Sequence, residues 1–516
     1  MTLPPDVSAQ PVAQRDIDDL PGPRRWPLVG NAFQVRRDQI HLNIEAWGRE
    51  FGPLFRVKLG PRTMLVVSDH RVLNTMLRDR PDVFQRAPLL QTIGMEMGLQ
   101  PGLFGSNGEA WRRQRRMVVA GLAPNHVKSY FPSLLRVTQR LRGRWQGATQ
   151  GGQSIELQHD LMRFTVDAIA GLAFGADINT LESDEDVIQQ HLDKIFPAYF
   201  KRLFSLFPLW RFIKRSADRQ LDSSVVAVNV AITGFIQAAR ARLAADPARR
   251  AQPPNLLEAM IVAAEADEAG PHDNTNGNGN GNGNSNANGN ASPGPASRVT
   301  DREVAGNVLT MLLAGEDTTA NALAWMIYLL HRNPQTLQRA TQEVRALGVD
   351  SSAFTLQAMA SLTYLEACAH EAMRLKPVAP FQIIEAVHDT VVADVRVPRG
   401  TRVWCLMRGD SISAAHFPDP DRFEPQRWLH DSAAGANAAP NPSAAHRISM
   451  PFGAGPRVCP GRYLALLEIK MAMAMLLNHF DIDTVTTPDG GEAVEKMAFT
   501  MLPVDLKMRL RARPLD

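Results

Sequence analysis

Apolar residues along this chain fall mostly in helical spacing, broken by three short zones of strand-like pattern. The first zone is Leu54-Phe-Arg-Val-Lys-Leu-Gly60 followed by Thr63-Met-Leu-Val-Val67, which reads as two strands joined by a Gly60-Pro61 turn. The other two lie near residues 382–404 and 497–510. The pattern predicts a mainly α chain with small β-sheets. Its longest helix spans about Asp301 to Arg332. Thr300-Asp-Arg-Glu303 is a capping box at its start, and Asn333-Pro334 stops it. At 1.5 Å per residue the rod is about 48 Å long. Its apolar positions lie on all sides, so it is expected to be largely buried. A second helical run, Tyr463 to Leu477, consists of strong helix formers. Residues 1–18 are polar and broken by prolines and are expected to form a loose tail. The Asn/Gly repeat from Asn274 to Asn290, inside a segment of residues 271–297, has no apolar residue except Ala287. Such a segment cannot offset the entropy of ordering, so it reads as a flexible insertion before the long helix.

The chemistry concentrates where these patterns are interrupted. Ala314-Gly-Glu-Asp-Thr-Thr319 sits in the middle of the long helix. Acids and hydroxyls in an apolar helix are costly without partners or a task. Ala314 and Gly315 leave room for a small ligand, and Thr318 is spaced to bond back to the carbonyl of Ala314. A polar stripe facing a water-filled gap is the plainer alternative. The second interruption is Phe452-Gly-Ala-Gly-Pro-Arg457-Val-Cys459-Pro-Gly461. Pro460 suits a first helical position, which puts Cys459 at or near an N-cap, where free N–H groups favour a thiolate. Gly453 and Gly455 allow a close approach to a flat ligand. Phe452 can shield the sulfur, and Arg457 can pair with a carboxylate. A lone cysteine in such a turn is more often a buried structural thiol. Zinc lacks further ligands at the usual spacing, and a cysteine hydrolase lacks a nominated histidine.

Phe452, Gly455, Arg457, Cys459 and Gly461 match every fixed position of the pattern Phe-x-x-Gly-x-Arg-x-Cys-x-Gly. In this the chain resembles the cytochrome P450 family of haem-thiolate monooxygenases. The resemblance implies a triangular-prism catalytic domain over residues 19–516, with the long helix crossing over haem b (iron protoporphyrin IX). It implies Cys459 as the iron ligand, with Phe452, Gly453, Gly461 and Ala314 around the cofactor. Asp317 and Thr318 are implied as the acid–threonine pair that delivers protons to dioxygen; Glu316 falls at a variable position. Trp111 and Arg115, one helical turn apart, are implied to meet a haem propionate together with Arg457. Glu371-Ala-Met-Arg374 and Pro420-Asp-Arg422-Phe423 are implied to join Glu371, Arg374 and Arg422 in a buried structural cluster. One departure is that Phe381-Gln-Ile-Ile-Glu385 lacks the arginine that often meets the second propionate.

Composition narrows the setting. The chain has 516 residues, 44% of them hydrophobic, and a net charge of +3, with no dense basic block to suggest nucleic acid. Three cysteines give no disulfide framework, so Cys368 and Cys405 read as reduced thiols. The N-terminus shows no signal peptide, and no run of about 18 uncharged apolar residues suggests a transmembrane anchor. These features lead us to expect a cytoplasmic, bacterial-type monomer. No flavin or nicotinamide fingerprint follows the cysteine motif. Electrons are therefore expected from NAD(P)H through a separate ferredoxin or flavodoxin-type protein, for which Arg112 and Arg116 are docking candidates. The aromatic segment Ile195 to Trp210 and the methionine-rich Leu89 to Leu99 suggest a lipophilic substrate, hydroxylated or epoxidised. A peroxide-using hydroxylase or isomerase is the alternative, and a non-catalytic haem sensor a further one. The retained acid–threonine pair favours the monooxygenase.

Overall fold

A computed structural model describes residues 14–183, 189–205, 207–268, 300–429 and 442–513. The molecule is built around the expected long helix. Eight helices matter for the site: α1 (His70–Arg78), α2 (Pro88–Glu96), α3 (Gly108–Gly121), α4 (Leu157–Phe174), α5 (Gln189–Leu203), α6 (Asp301–Arg332), α7 (Thr363–Leu375) and α8 (Arg462–His479). The capping box of α6 forms as its sequence dictates. Thr300 Oγ1 accepts from the Glu303 amide at 3.2 Å, and Glu303 Oε2 accepts from the Thr300 amide at 2.9 Å. Pro334 begins a new helix directly after Asn333. Along its middle, α6 is buried on nearly every side, yet Ala314 is exposed and Thr318 partly so. That opening faces a cavity.

Gly315 lines that cavity beside Ala314, and its missing side chain also serves packing. A Cβ on Gly315 would lie 2.9 Å from the Ile169 side chain, so the missing side chain lets α4 press against α6. Ala314 and Gly315 both border the cavity on this side.

The main sheet has strands β1 (Leu54–Leu59), β2 (Arg62–Val67), β3 (Phe84–Arg86), β4 (Phe381–Ala386) and β5 (Arg402–Leu406), in the order β1-β2-β5-β4-β3. The β1–β2 hairpin pairs Leu54 with Val67 through Leu59 with Arg62, turning at Gly60-Pro61. Only β2 and β5 run parallel, with Leu65 opposite Val403. Near the C-terminus β6 (Glu495–Met497) and β7 (Met501–Pro503) form a small hairpin whose tip holds Phe499 and Thr500. All three strand zones read from the sequence are present.

Two boundaries differ from expectation. Residues 14–18 are part of the fold, because Arg15–Asp16 pairs in parallel with Val395–Val397 and Arg15 grips Asp394 at 2.7 and 3.0 Å. The rest of the expected tail and the 271–297 insertion lie outside the described residues. The other concerns Cys459. Helix α8 begins at Arg462 with Gly461 as its N-cap, so Cys459 and Pro460 lie in the turn before it. Among the described residues one helix, Ser216–Ala245, is long and apolar enough to cross a membrane, and 28% of its apolar window is buried.

Candidate active site

A cavity of about 750 Å³ lies between the middle of α6 and the glycine-rich turn before α8. Its lining includes Phe452, Gly453, Arg457, Cys459 and Gly461 from that turn. Ala314 and Thr318 line it from α6, and Trp111 and Arg115 from α3. The turn is held by packing. Gly455 has φ +69°, and a Cβ there would fall 2.1 Å from the Leu77 carbonyl of α1. The Cys459 amide closes the loop by donating to the Phe452 carbonyl at 2.9 Å. Cys368 and Cys405 are fully buried and do not line the cavity. Burial pushes the Cys405 thiol up to about 12. Burial also raises the Cys459 thiol, while the Gly461 amide and the charges of Arg115 and Arg462 act the other way. A bound metal ion would hold such a sulfur ionised.

One side of the cavity is strongly cationic. Arg457 lies over the Trp111 ring at 4.5 Å and donates to the Ser106 carbonyl at 2.6 Å and Asn107 Oδ1 at 3.0 Å. Arg80 and Arg86, which the sequence reading missed, line the same cavity. Arg80 donates to Gln382 Oε1 at 3.1 Å, and Arg86 lies over the Phe104 ring at 4.2 Å. The Nε atoms of Arg80, Arg86 and Arg457 are buried without a hydrogen-bond partner. Burial, reinforced by neighbouring guanidinium groups, lowers Arg80 to about 9 and Arg457 to about 8. Burial alone lowers Arg86 to about 10. No carboxylate among the described residues pairs with any of the three. Arginine does not give up its proton readily, so the cluster calls for an anionic ligand. Arg115 is turned toward the turn itself and donates to the Val458 carbonyl at 2.6 Å. Arg402, opposite Glu385 across the sheet, brings another cation to the cavity wall despite the arginine-free 381–385 segment.

On the α6 side, Thr318 Oγ1 donates to the Ala314 carbonyl at 2.6 Å, as its spacing predicts. Asp317 departs from expectation. Its carboxylate does not line the cavity but accepts from Asn321 Nδ2 at 2.9 Å and from the Thr500 hydroxyl. Asn321 was legible as an i+4 neighbour; Thr500, 183 residues away, was not. Glu468 of α8, also missed, lines the cavity with Thr319 as its hydrogen-bond partner, and burial pushes its carboxyl up to about 8.

Behind the turn, Glu371 and Arg374 of α7 are fully buried and doubly bonded at 2.8 Å. Arg422 is not their third member. Its guanidinium is exposed and lies 3.5 Å from Glu424, and only its carbonyl takes part, accepting from Arg374 at 3.1 Å. Arg427 fills the place at 3.3 Å from Glu371, with Trp428 Nε1 donating to the same carboxylate at 2.9 Å.

The family model for "Cytochrome P450" matches residues 20–510, nearly the whole chain. The chain belongs to the cytochrome P450 family. Among its relatives, the protein LUTEIN DEFICIENT 5 of Arabidopsis thaliana is 24% identical over 94% of this chain and 77% of its own length. The steroid 17-alpha-hydroxylase/17,20 lyase of Homo sapiens is 26% identical over 94% of this chain and 91% of its own. The crystal structure of the cytochrome P450DA heme domain superposes with a TM-score of 0.76, at 24% identity, over 97% of this chain and 99% of that one. A P450 is a haem monooxygenase with a cysteine ligand, and the residues present fit such a group. Cys459 is the only cysteine on the cavity, the walls beyond it are mostly apolar, and the buried cations suit a flat dianion's carboxylates.

Proposed function

We propose that this P450 inserts one oxygen atom of dioxygen into a lipophilic organic substrate, reducing the other to water with two electrons from a separate ferredoxin or flavodoxin-type protein supplied by NAD(P)H. Haem bound through Cys459 supplies the oxygen-activating chemistry. The observation that carries this reading is the one cavity-facing cysteine set among buried arginines that lack an acidic partner.

Each residue then has a defined task. Arg457, Arg80 and Arg86 would hold the carboxylates of the cofactor, with Trp111 packed against the Arg457 guanidinium. Leu89, Leu90, Ile93, Phe200, Leu203 and Phe204 form apolar walls that exclude water and favour a lipophilic compound. The methionines of the 89–99 segment do not contribute, since Met95 faces solvent and Met97 is buried in the core. Thr318 Oγ1 holds and passes protons beside Ala314, and the Asp317 carboxylate replenishes them. Arg112 is tied to Asp82 and Glu109, which leaves Arg116 as the freer docking cation on α3.

Two measurements test this. The ferrous protein with carbon monoxide is expected to show the red-shifted Soret band of thiolate ligation, lost in Cys459→His. Thr318→Ala is expected to divert reducing equivalents from product to peroxide. A normal imidazole-type band in the wild type would overturn the ligand assignment. Undiminished coupling in Thr318→Ala would overturn the proton role.

A further inference from the structure

The hairpin tip between β6 and β7 is strained and crowded. Phe499 has φ +102°, a region unfavourable for any residue but glycine. Its ring lies 5.2 Å from Phe196 and 5.7 Å from Tyr199 of α5, the helix that supplies Phe200 and Leu203 to the cavity wall. The next residue, Thr500, donates its hydroxyl to Asp317 Oδ2, while Asn321 holds Oδ1. Both Phe499 and Thr500 line the cavity. One strained tip therefore touches the helix over the cavity, the space a substrate fills and the carboxylate of the acid–threonine pair.

We propose that Thr500 is a positioning residue that keeps the Asp317 carboxylate turned out of the cavity, with Phe499 linking that restraint to α5. Three observations favour a restraint over incidental contact. The bond is charge-assisted and buried. Asp317 does not line the cavity although its neighbour Thr318 does. The backbone strain at Phe499 persists only because the surrounding packing holds it. The consequence is a brake on proton delivery, which limits futile two-electron, two-proton reduction of dioxygen to peroxide. This inference rests on the reading of Asp317 as a proton carrier.

The test compares Thr500→Val, which lacks the hydroxyl donor, with Thr500→Ser, which keeps it. Reductant consumption without substrate, driven by a ferredoxin and its reductase, is expected to rise on the order of tenfold in Thr500→Val, the effect of losing one hydrogen bond to a charged group. Thr500→Ser is expected to match the wild type. The infrared stretch of carbon monoxide in the ferrous protein, which senses polar groups facing it, is expected to shift in Thr500→Val alone. Phe499→Gly relieves the strain and removes the ring, and is expected to raise the leak similarly. A wild-type leak in that variant would cut α5 out of the link. If Thr500→Val does not fold, Thr500→Ala carries the same comparison. An unchanged leak and an unchanged carbon monoxide stretch would overturn the proposal. Asp317→Asn separates the two readings. If it leaves coupled turnover untouched, the proton role of Asp317 fails; if it lowers turnover while Thr500→Val behaves as wild type, only the restraint fails.

Discussion

At the scale of single residues, burial decides which charges form. Glu468 sits in an apolar wall and is expected to be mostly protonated at neutral pH, since burial pushes its carboxyl up to about 8. The folded state thus holds a proton that the unfolded chain releases near its usual carboxylate range. Where the folded form binds more protons, stability falls as pH rises. Glu468 should cost stability progressively between about pH 4.5 and 8. Glu468→Gln is expected to flatten that part of the stability curve, read by urea denaturation at a series of pH values. The Glu371 cluster behaves in the opposite way, because its charges have partners. Glu371→Ala would strand Arg374 and Arg427 in the interior, and a loss of roughly 3–5 kcal/mol is expected by chemical denaturation. The Glu371–Arg374 pair was legible because i, i+3 residues share a helix face. Arg427 was not, since its approach depends on how the chain folds back after Pro420. The buried arginines at 80 and 86 were hidden for a similar reason: only the assembled sheet and α3 bring them to one wall.

At the scale of elements, the contact of α4 with α6 sets the height of the cavity roof. Gly315→Ala would drive a methyl group into Ile169. Overpacking costs typically 1–3 kcal/mol, set against a helix-propensity gain of about 1 kcal/mol. The expected result is net destabilisation in the single variant and recovery when Ile169→Ala makes space. Thermal melts of the two single variants and the double variant check this; additive effects would show that the two helices do not touch there. Both ends of α6 were readable because a capping box and a proline are local signals. The start of α8 was misplaced by about half a turn because Pro460 fits a turn as readily as a first helical position. The β6–β7 tip carries no local mark of its importance, since Phe499 and Thr500 acquire it from contact with α5 and α6.

At the scale of the whole molecule, a buried network ties distant segments together. Arg408, just beyond β5, bonds Glu45 at 2.8 Å and Glu495 of β6 at 2.9 Å, and Lys376 and His41 meet the same Glu495. Burial disfavours the Glu495 charge, but His41, Arg408 and Lys376 outweigh it and hold the carboxyl well below its usual range. This contribution to stability is present above about pH 4.5 and is lost as pH falls toward the folded value. Arg408→Met is expected to move acid unfolding, followed by circular dichroism, to higher pH. The cavity arginines that lack an acidic partner have a wider consequence. They repel one another inside the fold, and a dianionic cofactor would be the counter-ion that relieves them. Any ligand bound only by the native state adds its binding free energy to stability, so cofactor loading becomes a step in the protein's biogenesis. Chains made faster than haem is synthesised would stay vulnerable to proteolysis, and the cell's porphyrin supply would set how much of this enzyme survives.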